Sequence, residues 1–297
     1  MEILPWHRER LELADGDFLD LDWLRTGSSQ LVILAHGLEG DSRRHYMCGT
    51  AAACKAANLD VLSWSFRGCS GVPNRLPRAY HSGATEDLAA VVAQAETFDQ
   101  YVHMFVVGFS LGGNLILKFL GETAGEQNRI RGGVAISVPC DLRASAHRMD
   151  RPDRDFYRLR FLRSMRRRMV AMREKFGEVI PTDAEHPCRT FRQFDDTFTA
   201  PLHGFRNAED YWARCSAVGF IDGIRVPTLL LNAQDDPFLT PECFPTQVAK
   251  SHPYLYLEAP ATGGHVGFVG PGNRQDRYWA EQRTVDFIRR CVRMVPG

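Results

Sequence analysis

Gly108-Phe109-Ser110-Leu111-Gly112 places a serine between glycines directly after the apolar run 104–109. The spelling fits G-x-S-x-G, in which a sharp strand-to-helix turn holds a serine hydroxyl proud of the backbone. Small flanking residues are needed because a bulky side chain would block so tight a turn. Five residues are too short a pattern to stand alone, so the surroundings must decide. A serine hydroxyl is a poor nucleophile at neutral pH, and the chemistry would be acyl transfer only if a base and a carboxylate are supplied elsewhere.

Both are present in the required chain order of Ser, then Asp or Glu, then His. The strand-like run 228–233 is followed by Gln-Asp-Asp-Pro-Phe, with Asp235 and Asp236 where the acid belongs. The run 254–259 is followed by Pro-Ala-Thr-Gly-Gly-His, which puts His265 in a glycine-rich loop able to return an imidazole over Ser110. Of ten histidines, only His252 and His265 follow the acid, and His252 precedes its strand and should lie at the opposite edge of the sheet. Asp236 is preferred over Asp235 as the acid because it directly precedes the Pro-Phe-Leu-Thr turn. Its neighbour is then expected to cap that turn and, since adjacent carboxylates repel, to have a cation or amide donors nearby.

A developing oxyanion requires two preorganised amide donors. The amide of Leu111, next after the nucleophile and at a helix start, is one candidate. The amide of Leu38, in the His-Gly-Leu-Glu-Gly loop after the run 31–35, is the other. His36 in that loop reads as a brace rather than a participant. No metal ligand set and no cofactor site is expected. The eight cysteines are scattered without a C-x-x-C pair and read as reduced, mostly buried thiols.

These residues must be carried by a scaffold, and the remaining pattern supplies one. Alternating segments on either side of Asp15-Gly16-Asp17 predict an antiparallel hairpin. Strand-like runs at 31–37, 61–66, 104–109, 133–138, 228–233 and 254–259 alternate with helical stretches at 49–58, 85–98, 111–122, 208–217 and 277–292, the signature of a mostly parallel sheet covered on both faces. The alternation breaks once, where about 80 residues pass without a strand-like run. There Phe156, Leu159, Leu162, Met165, Met169, Met172 and Phe176 recur at steps of three and four, predicting one long helix with a single apolar stripe. Arg154, Arg158, Arg163, Arg166, Arg167, Arg168 and Arg173 fill its other faces, so the helix is basic and amphipathic.

Composition sets outer bounds. The chain has 297 residues, of which 44% are hydrophobic and 24% charged, a globular composition. Thirty-six basic residues balance thirty-six acidic ones, so no global charge argues for nucleic acid as the main partner. The first residues lack the apolar core of a signal peptide, and no run approaches 18 apolar residues, so a cytoplasmic protein without an integral membrane segment is expected.

Taken together, HGLEGDSRRHY, SFRGCSG, AYHSGATEDL, GFSLGGN, FDDTFTAPLHGF, YWARCSA, NAQDDPF and GGHVGF resemble the AB hydrolase superfamily type 4 family, the YheT-like α/β-hydrolases. The likeness runs from about residue 30 to the carboxyl end. It implies an α/β-hydrolase fold and a serine triad on Ser110, the aspartate of Asp-Asp-Pro-Phe and His265, with acyl-ester chemistry on short- to medium-chain substrates. Eukaryotic members carry a membrane-spanning segment, and no such run is present here. Arg67, Cys69, Ser70, Tyr80 and His81 belong to the family pattern without an obvious chemical step, and loop bracing is their expected role.

The expected organisation is an α/β-hydrolase core over 1–142 and 221–297 with a helical lid over 143–220. The expected activity is hydrolysis of a small-molecule acyl ester through an acyl-enzyme. An acyltransferase passing the acyl group from acyl-CoA to an alcohol is the alternative, and a non-catalytic binder with the same fold is a lesser one. The basic helix is expected to make at most weak contact with a lipid surface. Dehalogenase and epoxide hydrolase chemistry is excluded because the elbow holds a serine and not a carboxylate.

Overall fold

A computed structural model describes residues 4–123, 129–270 and 278–294. Its strands are β1 (His7–Glu12), β2 (Phe18–Leu24), β3 (Gln30–Ala35), β4 (Asp60–Ser65), β5 (His103–Phe109), β6 (Ile130–Ile136), β7 (Thr228–Leu231) and β8 (Leu255–Glu258). They form one eight-stranded sheet in the order β1-β2-β4-β3-β5-β6-β7-β8. β1 and β2 are the expected antiparallel hairpin, β2 meets β4 antiparallel, and every later pairing is parallel. The α/β-hydrolase architecture read from the alternation of runs is therefore the one observed.

Strand periodicity decides which helices cover which face. On β3, Leu31, Ile33 and Ala35 join one core cluster while Val32 and Leu34 join the other, as the two-residue repeat requires. The first cluster packs against α2 (Thr85–Glu96) and α3 (Leu111–Glu122), through Leu88, Val91, Val92 and Leu115. The second packs against α1 (His45–Ala56) and the terminal helix α9 (Trp279–Met294), through Met47, Ala51, Val285 and Ile288. The terminal helix read from 277 onward begins outside the described residues at that position. All eight cysteines are free and buried among these elements and the insertion.

Between β6 and β7 no strand occurs. The segment carries α4 (Leu142–Met149), α5 (Asp155–Phe176), α6 (Phe191–Phe194), a π-helical turn at Asp195–Thr199, α7 (Ala200–His203) and α8 (Ala208–Cys215). Leu162, Met165 and Met169 of α5 pack with Phe194 and Phe198 in a cluster separate from the two sheet clusters. Fully buried Asn114 of α3 ties the end of the insertion to the core, donating to Cys215 O and Ser82 O and accepting from Ala217 N.

The stripe on α5 departs from expectation. Phe156 is 73% exposed and Leu159 57% exposed, whereas Leu162, Met165 and Met169 are buried. The reason is geometric: at about 100° per residue, a step of three falls short of a full turn by about 60°. Three such steps in succession, from Phe156 to Met165, carry the series half-way around the helix. Steps that alternate three and four stay on one face; repeated threes do not.

At the carboxyl end of β3 the chain turns into the His36–Gly40 loop, and His36 holds it. The ring donates from Nδ1 to Gly37 O at 2.8 Å and accepts Phe66 N–H at Nε2 at 3.1 Å. Arg67 braces the neighbouring loop from within, pairing with Asp87 at 2.7 Å and with Asp15 at 2.8 Å, which links the hairpin tip to α2. Burial pushes His36 down to about 3, so the folded ring is neutral where the unfolded ring would bind a proton near pH 6.5. Since the folded value lies below the unfolded one, the stabilisation is complete above pH 6.5 and is lost as pH falls toward 3, at about 1.4 kcal/mol per pH unit. In His36→Gln the fall in unfolding free energy between pH 7 and pH 5 is expected to be smaller by about 2 kcal/mol than in the native chain, measured by urea titration at each pH. Equal falls in the two proteins would contradict the buried neutral ring.

Candidate active site

Ser110 sits between β5 and α3 with φ 53° and ψ −117°, a left-handed conformation that a non-glycine residue adopts only under constraint. The glycines on either side are required by close approach. A Cβ on Gly108 would lie 2.3 Å from Gly112 O, and one on Gly112 would lie 2.4 Å from Ala35 O. The turn is further held by Ser110 N donating to Ile136 O at 2.8 Å, so the elbow is fixed from both neighbouring strands.

Asp236 and His265 meet. His265 Nδ1 donates to Asp236 Oδ2 at 2.8 Å, and the other oxygen, Oδ1, accepts Phe238 N–H at 2.9 Å. Asp236 therefore caps its own turn as well as holding the ring. Asp235, expected to do the capping, instead accepts Gly264 N–H at 2.8 Å and pins the loop that carries His265. The two carboxylates thus hold one loop at neighbouring positions, and only Asp236 reaches the imidazole. Ser137, at φ 56°, adds a third tether by accepting Val266 N–H at 3.1 Å. Asn232 fixes the base of both segments, bonding Val138 N at 2.7 Å and Cys243 O at 2.9 Å.

Ser110 and His265 line the same cavity, of about 160 Å³, between the sheet's upper edge and the insertion. Among the described residues no hydrogen bond joins Ser110 Oγ to the ring. Such contacts in ligand-free sites are commonly long and shorten when substrate binds. Leu38 and Leu111 line the cavity beside Ser110. Among the described residues no backbone acceptor outside the helices and strands takes the amide of either one.

The walls are mainly apolar, with Ala146, Met149, Met165, Met169, Phe198 and Leu202 contributed by the insertion. Three of their polar neighbours are shifted toward the neutral form. Burial pushes His203 down to about 4 and His81 well below the ordinary imidazole value, and it lifts Asp195 to about 7. Asp195 is satisfied by Thr199 Oγ1 at 2.6 Å and Trp212 Nε1 at 2.8 Å, within the π-helical turn.

Other residues fall where the sequence places them or reveal roles it concealed. His252 lies before β8, accepts Tyr254 and Leu255 amides at Nδ1, and does not line the cavity. The Cys69 thiol is buried and pushed up to about 12, so no thiolate competes with Ser110. Phe238, unremarked in the sequence, packs against His265 with the rings tilted and their centroids 4.4 Å apart. Tyr80 bonds the amide of Glu39 at 2.9 Å, next to Leu38. Among the described residues no cluster of three or more His, Cys, Asp or Glu could hold a metal ion. No helix among them is long and apolar enough to cross a membrane.

Comparison with known proteins agrees with this scaffold. YheT of Escherichia coli (strain K12), provisionally named an esterase, is 32% identical over 94% of this chain and 84% of its own length. The monoacylglycerol lipase of Saccharomyces cerevisiae is 31% identical over 87% of this chain and 59% of its own length, and the phospholipase ABHD3 of Mus musculus is 28% identical over 90% and 67%. Among solved structures, the Pyrococcus furiosus esterase Pf2001 superposes with a TM-score of 0.64, covering 97% of this chain and 91% of that one at 18% identity, a likeness of fold. The sequence pattern of the alpha/beta hydrolase family matches residues 32–280, and with the parallel sheet and the serine elbow in place the chain belongs to that family.

Proposed function

We propose that this chain is a serine hydrolase of short- to medium-chain carboxylic esters. The observation that carries the reading is the Asp236–His265 hydrogen bond at 2.8 Å, made at the rim of an apolar cavity that Ser110 also lines. Its relatives named as esterase, lipase and phospholipase are all named for ester cleavage, which supports the same chemistry here.

In this mechanism Ser110 Oγ attacks the acyl carbonyl while His265 Nε2 takes the hydroxyl proton, and Asp236 stabilises the resulting imidazolium through Nδ1–H. The tetrahedral oxyanion accepts the amides of Leu38 and Leu111. Collapse expels the alcohol, which leaves with the proton from Nε2, and a water activated by the same nitrogen then cleaves the acyl-enzyme to the acid. Residues 143–220 act as the lid. A cavity of about 160 Å³ is comparable with the roughly 150 Å³ void that accepts a benzene-sized molecule, which suits an acyl chain of medium length.

The outer face of α5 supports a further reading about location. Phe156, Leu159 and Val170 are exposed there beside Arg160, Arg163 and Arg167, for which no ion pair is found among the described residues. Apolar and cationic side chains on one helix face fit weak contact with an anionic lipid surface. Co-sedimentation with phosphatidylserine vesicles should be lost in the triple Arg→Glu variant, and equal binding by both proteins would remove this reading. Eight buried free thiols support a reducing, cytoplasmic setting.

The central test uses p-nitrophenyl esters from two to twelve carbons. Turnover should peak at four to eight carbons, and Ser110→Ala should lower kcat by roughly 10⁶-fold. Asp236→Asn should cost about 10⁴-fold, whereas Asp235→Asn should cost about tenfold or less. With ethanol present, free acid should remain the main product; a dominant ethyl ester would assign the enzyme to acyl transfer, and full turnover by Ser110→Ala would remove the triad.

A further inference from the structure

Glu39 follows Leu38 directly and stands at φ 55°, a conformation that a residue with a side chain adopts only when its surroundings enforce it. Every polar group of the residue is held. Its amide donates to Tyr80 Oη at 2.9 Å, and its carbonyl accepts Arg44 Nη2 at 2.8 Å. Its carboxylate accepts Tyr80 Oη at 2.9 Å, Arg168 Nε at 3.0 Å and Ser164 Oγ at 2.6 Å.

Two of those three carboxylate donors come from the insertion. Ser164 and Arg168 are four residues apart on α5, so they project from one face, and that face meets the loop carrying Leu38. Arg168 is nearly buried, with 19% of its side chain exposed against 10% for Glu39. It also donates to Gly68 O at 2.6 Å and lies over the Tyr80 ring, 5.3 Å from its centroid. Withdrawal of α5 would leave the Glu39 carboxylate with Tyr80 alone, in surroundings where an under-paired charge is costly.

The same helix reaches the other half of the site. Arg154, just before its first turn, donates to Pro237 O at 3.0 Å. Tyr157 packs edge-on against Phe238 with centroids 4.9 Å apart, and Phe238 lies against His265. One element therefore touches the loop of the oxyanion donor and the loop of the acid and base.

We infer that Arg168 and Ser164 are positioning residues, which set the Leu38 amide through Glu39, so that docking of α5 and assembly of the oxyanion hole are one event. This rests on the serine-hydrolase reading and goes beyond it, since a lid that merely covers the cavity needs no ion pair to the oxyanion loop. A cover affects how tightly substrate is held. A positioning element affects how well the transition state is held.

Arg168→Met keeps the aliphatic stem and removes the guanidinium. It should lower kcat about a hundredfold, the usual effect of losing one oxyanion donor, with KM changed by less than about threefold. Affinity for butylboronic acid, which forms a tetrahedral adduct on the serine, should fall by about the same factor. Arg168→Lys should recover part of it. The double variant Glu39→Gln with Arg168→Met should lose no more than the worse single one, because both act through one contact. Should Arg168→Met fail to fold, Ser164→Ala is expected to show the same pattern at a smaller size.

Hydrogen exchange reads the coupling without reference to chemistry. The amides of Glu39 and Gly40, bonded to Tyr80 Oη and Gly37 O, should lose protection in Arg168→Met while those of α3 keep it. Faster exchange at Glu39 and Gly40 in a protein whose Ser110→Ala form still turns over would uphold the coupling and overturn the triad. Unchanged exchange, or a rise in KM at constant kcat, in a protein that Ser110→Ala inactivates would overturn the coupling and leave the triad standing.

Discussion

The hydrogen bond between His265 and Asp236 is the contact on which the site's geometry depends, because neither side chain belongs to a regular element. Each rides on a loop at the carboxyl end of a late strand, and loops are the least constrained parts of a chain. The structure meets this with redundant tethers. Asp235 holds Gly264, Ser137 holds Val266, and Asn232 holds the backbone where β6 and β7 end. Only after these are made does a ring at position 265 have one place to be, opposite a serine whose own backbone is fixed by close-packed glycines.

Electrostatics follow from enclosure. A carboxylate that is fully enclosed, as Asp236 is, needs donors, and it receives one from the ring and one from the Phe238 amide. Elsewhere around the cavity, burial neutralises what it can. His81 and His203 are held unprotonated and Asp195 is lifted toward neutrality, which keeps this part of the wall close to uncharged. The exception is the Glu39–Arg168 ion pair, made where the insertion meets the loop that carries Leu38.

Much of this was legible in the sequence, and the reason is that the fold places its chemistry at strand ends. Ser110, His265 and the adjacent pair Asp235 and Asp236 can be marked as candidates from chain order and from turn residues after apolar runs, whereas the choice of Asp236 as the ring's partner rests on the hydrogen bond itself. What was not legible depends on how the insertion docks. Glu39 and Arg168 are 129 residues apart, and no spacing rule connects them. Phe238 looks like any aromatic residue after a proline until its ring is found against His265. The apolar series on α5 misled for a different reason, since repeated steps of three drift around a helix and leave Phe156 facing outward. The role of Asp235 inverted an expectation, because two adjacent carboxylates can serve one loop when one bonds the ring and the other the backbone.

The most direct test of the account is covalent. The native chain should react with a fluorophosphonate to give a single adduct, mapped by peptide mass spectrometry to Ser110, and His265→Gln should slow that reaction by at least a hundredfold. An adduct on another residue, or equal labelling rates in the native and His265→Gln proteins, would contradict a nucleophile at the elbow activated by the Asp236-held imidazole.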